Sequence, residues 1–339
     1  MSELEFPQAR FLPWQQSQKE RLQQQIAAFR LPHALLFSGV ADIGKKNFAF
    51  ALGAQLLCNN PEKGQACENC SACLLVRAGT HPDLRVVRPE ESKLIIIEQI
   101  RSLSEWAAQT SQQGGRKVAI LYPAEQMNVN SANALLKSLE EPAPGTFFIL
   151  VTDQPGRLLP TIRSRSQRIE FPVPREEEAI PWLQSNYDAS VDVSQLLAVA
   201  AGAPLKVVNQ FDDDYLLRRA NIVKETEGLI QGRVMAVAAA SSLFKKDYPL
   251  EVYDILYQFF SDALRLNIAG SEETLKNNDM LSFINVIYRM YDATTMLLVL
   301  DAINASRVAI KGSSNPNQQL LLESLMIKLA EMVHTNSGY

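Results

Sequence analysis

Residues 37–53 read FSGVADIGKKNFAFALG, and they set the fold class. Against the phosphate-binding pattern G-x-x-x-x-G-K-[ST], Gly39, Gly44 and Lys45 fall into register, whereas Lys46 stands where the Mg²⁺-holding hydroxyl belongs. Such a loop joins a buried strand to a helix whose N-terminal N–H groups face an anion. ALLFSG, from residue 34, is that strand.

Further along the chain, short apolar runs alternate with helix-period segments, as in a parallel sheet covered by helices. DLRVV, RKVAILY and TFFILVT read as further buried strands, β-branched or aromatic and bounded by turns. IIIEQIRSLSEWAAQTSQ puts Ile100, Leu103, Trp106 and Ala107 on one helical face and ends before Gly114 and Gly115. NSANALLKSLEEPAPG is expected to open on the capping residues Asn130 and Ser131, to face inward through Ala134, Leu135 and Leu139, and to stop before Pro142. Pro172, Pro174 and Pro181 mark a change of texture, and QLLAVAAGAPLKVVNQF reads as a small helical unit broken at Gly202 and Pro204. Beyond residue 213 strand signals fade and amphipathic stretches take over.

A working phosphate loop also needs a Ser or Thr on Mg²⁺ and acids at the end of a neighbouring strand. In KVAILYPAEQMN, Tyr122 and Pro123 occupy those strand-end positions, and neither can hold a metal or orient a water. The Lys46 ammonium repels the metal. Glu125, three residues on, is expected on a solvated turn. Intrinsic ATP hydrolysis is therefore not expected, and any nucleotide would be held weakly through Gly39, Gly44 and Lys45.

Cys58, Cys67, Cys70 and Cys73 are the only four cysteines in the 339-residue chain. Their C-x8-C-x2-C-x2-C spacing suits tetrahedral Zn²⁺, and NNPEKGQACENCSAC is too short and polar to bury a core without a staple. Four protein ligands leave no position for a reacting water, which points to a structural ion.

A formal net charge of −4 and a pI near 5.6 argue against a freestanding binder coated in positive charge. MSELEFPQARFLPWQQSQKERL has no apolar core behind a basic start, and no run of 18 uncharged apolar residues occurs. The expectation is a soluble cytoplasmic protein without a membrane segment, where thiols stay reduced.

NSANALLKSLEEPAPGTFFILVTDQPGRLLPTIRSRS resembles the AAA+ clamp-loader subunits of replicative polymerases, in which N-x-x-A-N-A-L-L-K-x-L-E-E-P-P is a strong signature. The cysteine module after the loop, HPDLRVV, IIIEQIRSL and the opening FLPWQQSQKERL are similar to the same family, so the resemblance spans the chain. It implies an α/β AAA+ P-loop domain with a parallel sheet over 1–172, carrying a zinc module at 58–73. A small helical lid at 173–212 and an all-helical collar for oligomerisation at 213–339 would follow. Motor members, called tau and gamma, keep the loop hydroxyl and the strand-end acids, so this chain sides with the silent branch, with ATP and ADP not bound.

TIRSRS aligns with the family's Ser-Arg-Cys motif, making Arg165 the candidate arginine finger acting in trans, with Ser166 in place of the usual cysteine. Thr152 takes the sensor 1 position, and Leu205 stands where an active sensor 2 has arginine. The implied partners are the motor subunits tau/gamma and delta in a hetero-pentamer, the sliding clamp, and primed DNA through the assembled complex. The alternative is a self-sufficient clamp-loader ATPase of the motor type. Without the resemblance, Arg163 and Arg165 read as solvated charges, His81 as a turn residue, Ser131 as a cap, and YDILYQFF as helix packing.

Overall fold

The computed structural model describes residues 10–90, 93–113, 115–187, 191–212, 214–272, 275–311 and 316–334. The chain divides into two compact units, the first running to Asn186 and including Gly202–Asn209, the second comprising Tyr187–Ala201 and the chain from Gln210.

The first unit is built on five parallel strands: β1 Ala34–Ser38, β2 Leu84–Val87, β3 Lys117–Leu121, β4 Thr146–Thr152 and β5 Gln167–Glu170, in the order β2-β3-β4-β1-β5. Every residue of β1 and β3 is buried, as a parallel sheet covered on both faces requires. Alternation along β1 sorts its side chains. Leu35 and Phe37 join Phe48 and Leu52 on one face, and Ala34 and Leu36 join Ile100, Leu103, Leu135 and Leu139 on the other.

The covering helices are α1 Gln16–Ala27, α2 Lys45–Leu57, α3 Ser71–Arg77, α4 Ile97–Ala108, α5 Val129–Glu140, α6 Pro160–Arg165 and α7 Glu176–Gln184, the last running through Pro181. On α4, Ile100, Leu103, Trp106 and Ala107 are the buried residues, as the spacing predicts. α5 opens earlier than expected: Asn128 is the N-cap, its Oδ1 accepting from the Ser131 amide at 2.8 Å. Ser131 is no cap. Its buried hydroxyl lies 2.8 Å from the Ile95 carbonyl, to which it donates.

The predicted break at Gly202 and Pro204 separates α8 Val193–Val199 from α9 Pro204–Gln210. α9 up to Asn209 belongs to the first unit and α8 to the second, which continues with α10 Tyr215–Ile230, α11 Ala236–Leu243, α12 Glu251–Ala269, α13 Leu281–Met290, α14 Ala293–Lys311 and α15 Gln318–His334. Its core is aromatic: Phe259 meets Phe283 edge-on at 5.1 Å and Phe260 meets Tyr291 at 5.3 Å, so YDILYQFF packs inward. Ala293–Ile310 is long and apolar enough to cross a membrane, yet it contains Asp301 and Arg307, and Arg307 ion-pairs with Asp254 of α12 at 2.7 Å. The α/β P-loop class with helical segments after it is thus the architecture of the chain.

Candidate functional site

β1 delivers the chain into the 39–44 loop, and α2 begins at Lys45 with Gly44 as its N-cap at φ +88°. That conformation favours glycine, and a Cβ there would lie 2.8 Å from Gln15 Nε2. The crowding comes from the LPWQ turn before α1. Trp14 Nε1 donates to the Ile43 carbonyl at 3.0 Å and Gln15 Nε2 to the Gly44 carbonyl at 2.9 Å, tying the loop to the N-terminal segment.

Lys45 is only 3% exposed, and its ammonium ion-pairs with Asp153 Oδ1 at 2.6 Å while donating to the Val40 carbonyl. Asp153 follows Thr152 at the end of β4, so a carboxylate of the chain stands where a phosphate would meet this lysine. Lys46 lies 4.9 Å from the centre of the Tyr122 ring, a cation–π arrangement across the position where strand-end acids would hold a metal.

Glu125 is not on a solvated turn. It is 7% exposed in a single 3₁₀ turn after β3, and its Oε1 accepts from the Asp153 amide at 3.2 Å. The turn packs back under the strand end, and the carboxylate is used to fix Asp153. Burial, and then the Asp153 charge, raise the Asp42 carboxyl above its ordinary value, against the lowering pull of Lys206 and Lys45.

Asp42, Lys45, Lys46, Tyr122, Asp153 and Leu205 line what remains, a cavity of about 190 Å³. Ligand pockets usually run to about 300–1,000 Å³. A divalent ion entering here would face two ammonium groups, and the Asp153 carboxylate is already engaged by Lys45. Thr152 Oγ1 accepts from the Gln154 amide at 3.1 Å and so shapes the exit of β4. Leu205 donates its amide to the Asp42 carbonyl at 3.1 Å, a backbone role open to any residue but proline.

Arg165 ends α6 on the surface, 36% exposed. Its Nε and Nη2 both lie 2.6 Å from Glu140 Oε1, and Nη1 donates to the Thr161 carbonyl at 3.2 Å. Ser166 is buried and donates to the Ile162 carbonyl at 3.0 Å, closing the helix beneath the arginine. Arg163 is exposed on the same helix.

The four cysteine sulfurs lie within 4.8 Å of one another, Cys58 to Cys70 at 3.9 Å and Cys67 to Cys73 at 4.0 Å. Thiolates at ~2.3 Å from one tetrahedral ion are ~3.8 Å apart, so the four residues fit Zn²⁺. Amides point at two of them: Cys67 N to Cys58 Sγ at 3.3 Å and Cys73 N to Cys70 Sγ at 3.5 Å, donors that favour thiolate. The knuckle between Cys58 and Cys67 turns at Lys63 and Gly64, both with positive φ, and Gln23 holds the Gly64 carbonyl at 3.0 Å.

Asp153, Glu140, Trp14 and Gln15 escaped the sequence reading because their partners lie far away along the chain. Lys45, the four cysteines and the Lys46 replacement were legible as local motifs.

A family model described as "DNA polymerase III, delta subunit" matches residues 14–175, and one described as "DNA polymerase III, delta subunit, C terminal" matches residues 197–331. The chain is 37% identical over 323 residues to the DNA polymerase III subunit delta′ of Pseudomonas aeruginosa, covering 94% of this chain and 97% of that one. It is 32% identical over 309 residues to the subunit of the same name from Bacillus subtilis, covering 89% and 92%. A crystal structure of a DNA polymerase III gamma subunit-related protein from Thermotoga maritima aligns over 94% of this chain and 99% of that one, at 16% identity and a TM-score of 0.43.

Proposed function

The chain belongs to the DNA polymerase III delta′ subunit family, and from that premise we propose that it is a clamp-loader subunit that hydrolyses no ATP itself and lends Arg165 to a neighbour's nucleotide. The observation that carries the silent half is the closed pair of Lys45 and Asp153, with Lys46 over Tyr122 where the metal would sit. The exposed arginine at the end of α6 supports the donating half. A guanidinium stabilises the charge that develops on a transferring phosphoryl group and can act from outside the subunit that binds the nucleotide.

In this reading residues 1–172 form the P-loop domain, 173–212 the lid and 213–339 the collar that anchors the ring. The partners are the motor subunits tau/gamma and delta, the sliding clamp, and primed DNA reached through the assembled complex in the cytoplasm. Cys58, Cys67, Cys70 and Cys73 would hold a structural zinc that staples the segment between α2 and β2.

The test is ATP turnover and clamp loading by the motor subunits assembled with delta, clamp, primed DNA and this chain, compared with its Arg165→Ala variant. Normal assembly with turnover reduced severalfold is the expected result. Unchanged turnover removes the finger. Metal-dependent hydrolysis by the isolated chain would instead favour the self-sufficient ATPase.

A further inference from the structure

We infer that Glu140 is a positioning residue for Arg165, holding the guanidinium by its flank so that its outer edge is presented to a phosphoryl group of a neighbouring subunit. The inference rests on the reading of Arg165 as a finger acting in trans. A guanidinium carries five N–H donors in a rigid fork. Here Nε and Nη2 engage Glu140 Oε1 at 2.6 Å, and Nη1 reaches the Thr161 carbonyl at 3.2 Å. Three of the five donors are thereby spent on the chain's own oxygens. The remaining two, one on each Nη, are left to meet the oxygens of a phosphate.

The placement of Glu140 is otherwise poorly explained by helix stability. It is the last residue of α5, where the helix dipole disfavours a carboxylate. It is 48% exposed, so its charge is not held there by burial. Its contact with Arg165 joins the C-terminal ends of α5 and α6, two elements that pack on each other. A long side chain at the end of a six-residue helix would otherwise sample many rotamers. The Glu140 and Thr161 contacts remove that freedom before a phosphate arrives, which is the value of a preset catalytic group.

The experiment uses the reconstituted loader. Glu140→Ala is expected to lower the motor subunits' kcat about twofold, a part of the severalfold loss expected of Arg165→Ala because the residue acts only through that guanidinium, with KM for ATP and assembly unchanged. Glu140→Gln keeps an acceptor oxygen at the same reach and is expected to recover most of the loss. In an Arg165→Ala background, Glu140→Ala should cost nothing further. Wild-type kcat in Glu140→Ala beside a slowed Arg165→Ala overturns the role of Glu140 alone, and so does an additive loss in the double variant. Unchanged turnover in Arg165→Ala overturns the finger and takes this inference with it.

Discussion

A buried ammonium needs a counter-charge, and at Lys45 the chain supplies its own through Asp153. Asp153→Asn should therefore destabilise the first unit by about 1–3 kcal/mol, below the full cost of an orphaned buried charge because Asp153 is 40% exposed. Urea unfolding would measure it. Added pyrophosphate should restore part of the loss in the variant and leave the wild type unmoved; no effect in either would show that Lys45 does not face an anion position. His81 sets a second expectation. Burial holds its imidazole below the ordinary value, with Asp83 pulling the other way, and its Nδ1 accepts from the Asp83 amide at 3.1 Å. The unfolded chain then binds the proton more tightly than the folded one. Stability from this residue is present above about pH 6.5 and is lost as pH falls through the lowered folded value. The urea midpoint should drop between pH 7 and pH 5, and less steeply in His81→Gln; equal slopes would remove the effect. What the sequence hid at this scale was pairing. Lys46 in a phosphate loop is visible to the eye, but nothing near Lys45 announces a partner beyond a hundred residues of intervening chain, and Glu125, two residues after Pro123, reads as solvent-facing until the turn is seen folded under.

Periodicity made four of the five strands and α4 readable, because a two-sided parallel sheet demands unbroken apolar runs and an amphipathic helix demands its stripe; β5, QRIE with one buried residue, carries no such run. Helix starts were less legible. NVNSAN offers several capping side chains in succession, and local chemistry alone does not rank them. The tertiary fold does, by drawing Ser131 away to the Ile95 carbonyl and leaving Asn128 to the α5 amides. Asn128→Ala should cost about 1 kcal/mol, whereas Ser131→Ala leaves a buried carbonyl without its donor and should cost about 1–3 kcal/mol. The two are separable by denaturant titration, and the reverse ranking would restore Ser131 as the cap. The cysteine knuckle was legible from spacing alone, since two-residue spacers constrain where sulfurs can converge. One zinc per chain by atomic absorption is expected, falling towards zero in Cys73→Ser; a full complement in that variant would place the metal elsewhere.

Each unit owns a separate core, the sheet sandwich in the first and the aromatic cluster of α12 and α13 in the second, where Arg219 is buried against Asp279 and Asn277. Two calorimetric transitions are therefore expected for the whole chain. A strong chelator should lower the one belonging to the sheet unit, which holds all four cysteines, and leave the other in place. A single transition that moves as one would contradict the division. The strand order carries a consequence for how the protein is made. β1 leaves the ribosome early, yet its neighbours are β4 and β5, with Ala34 beside Phe148 and Leu35 beside Gln167. At about 5–20 residues per second, this fully buried strand waits on the order of ten seconds for either edge to be covered. During that interval an unpaired ALLFS strand is open to the wrong neighbour. Synthesis of this subunit thus has a vulnerable window set by topology, closing when the residues just past Arg165 emerge.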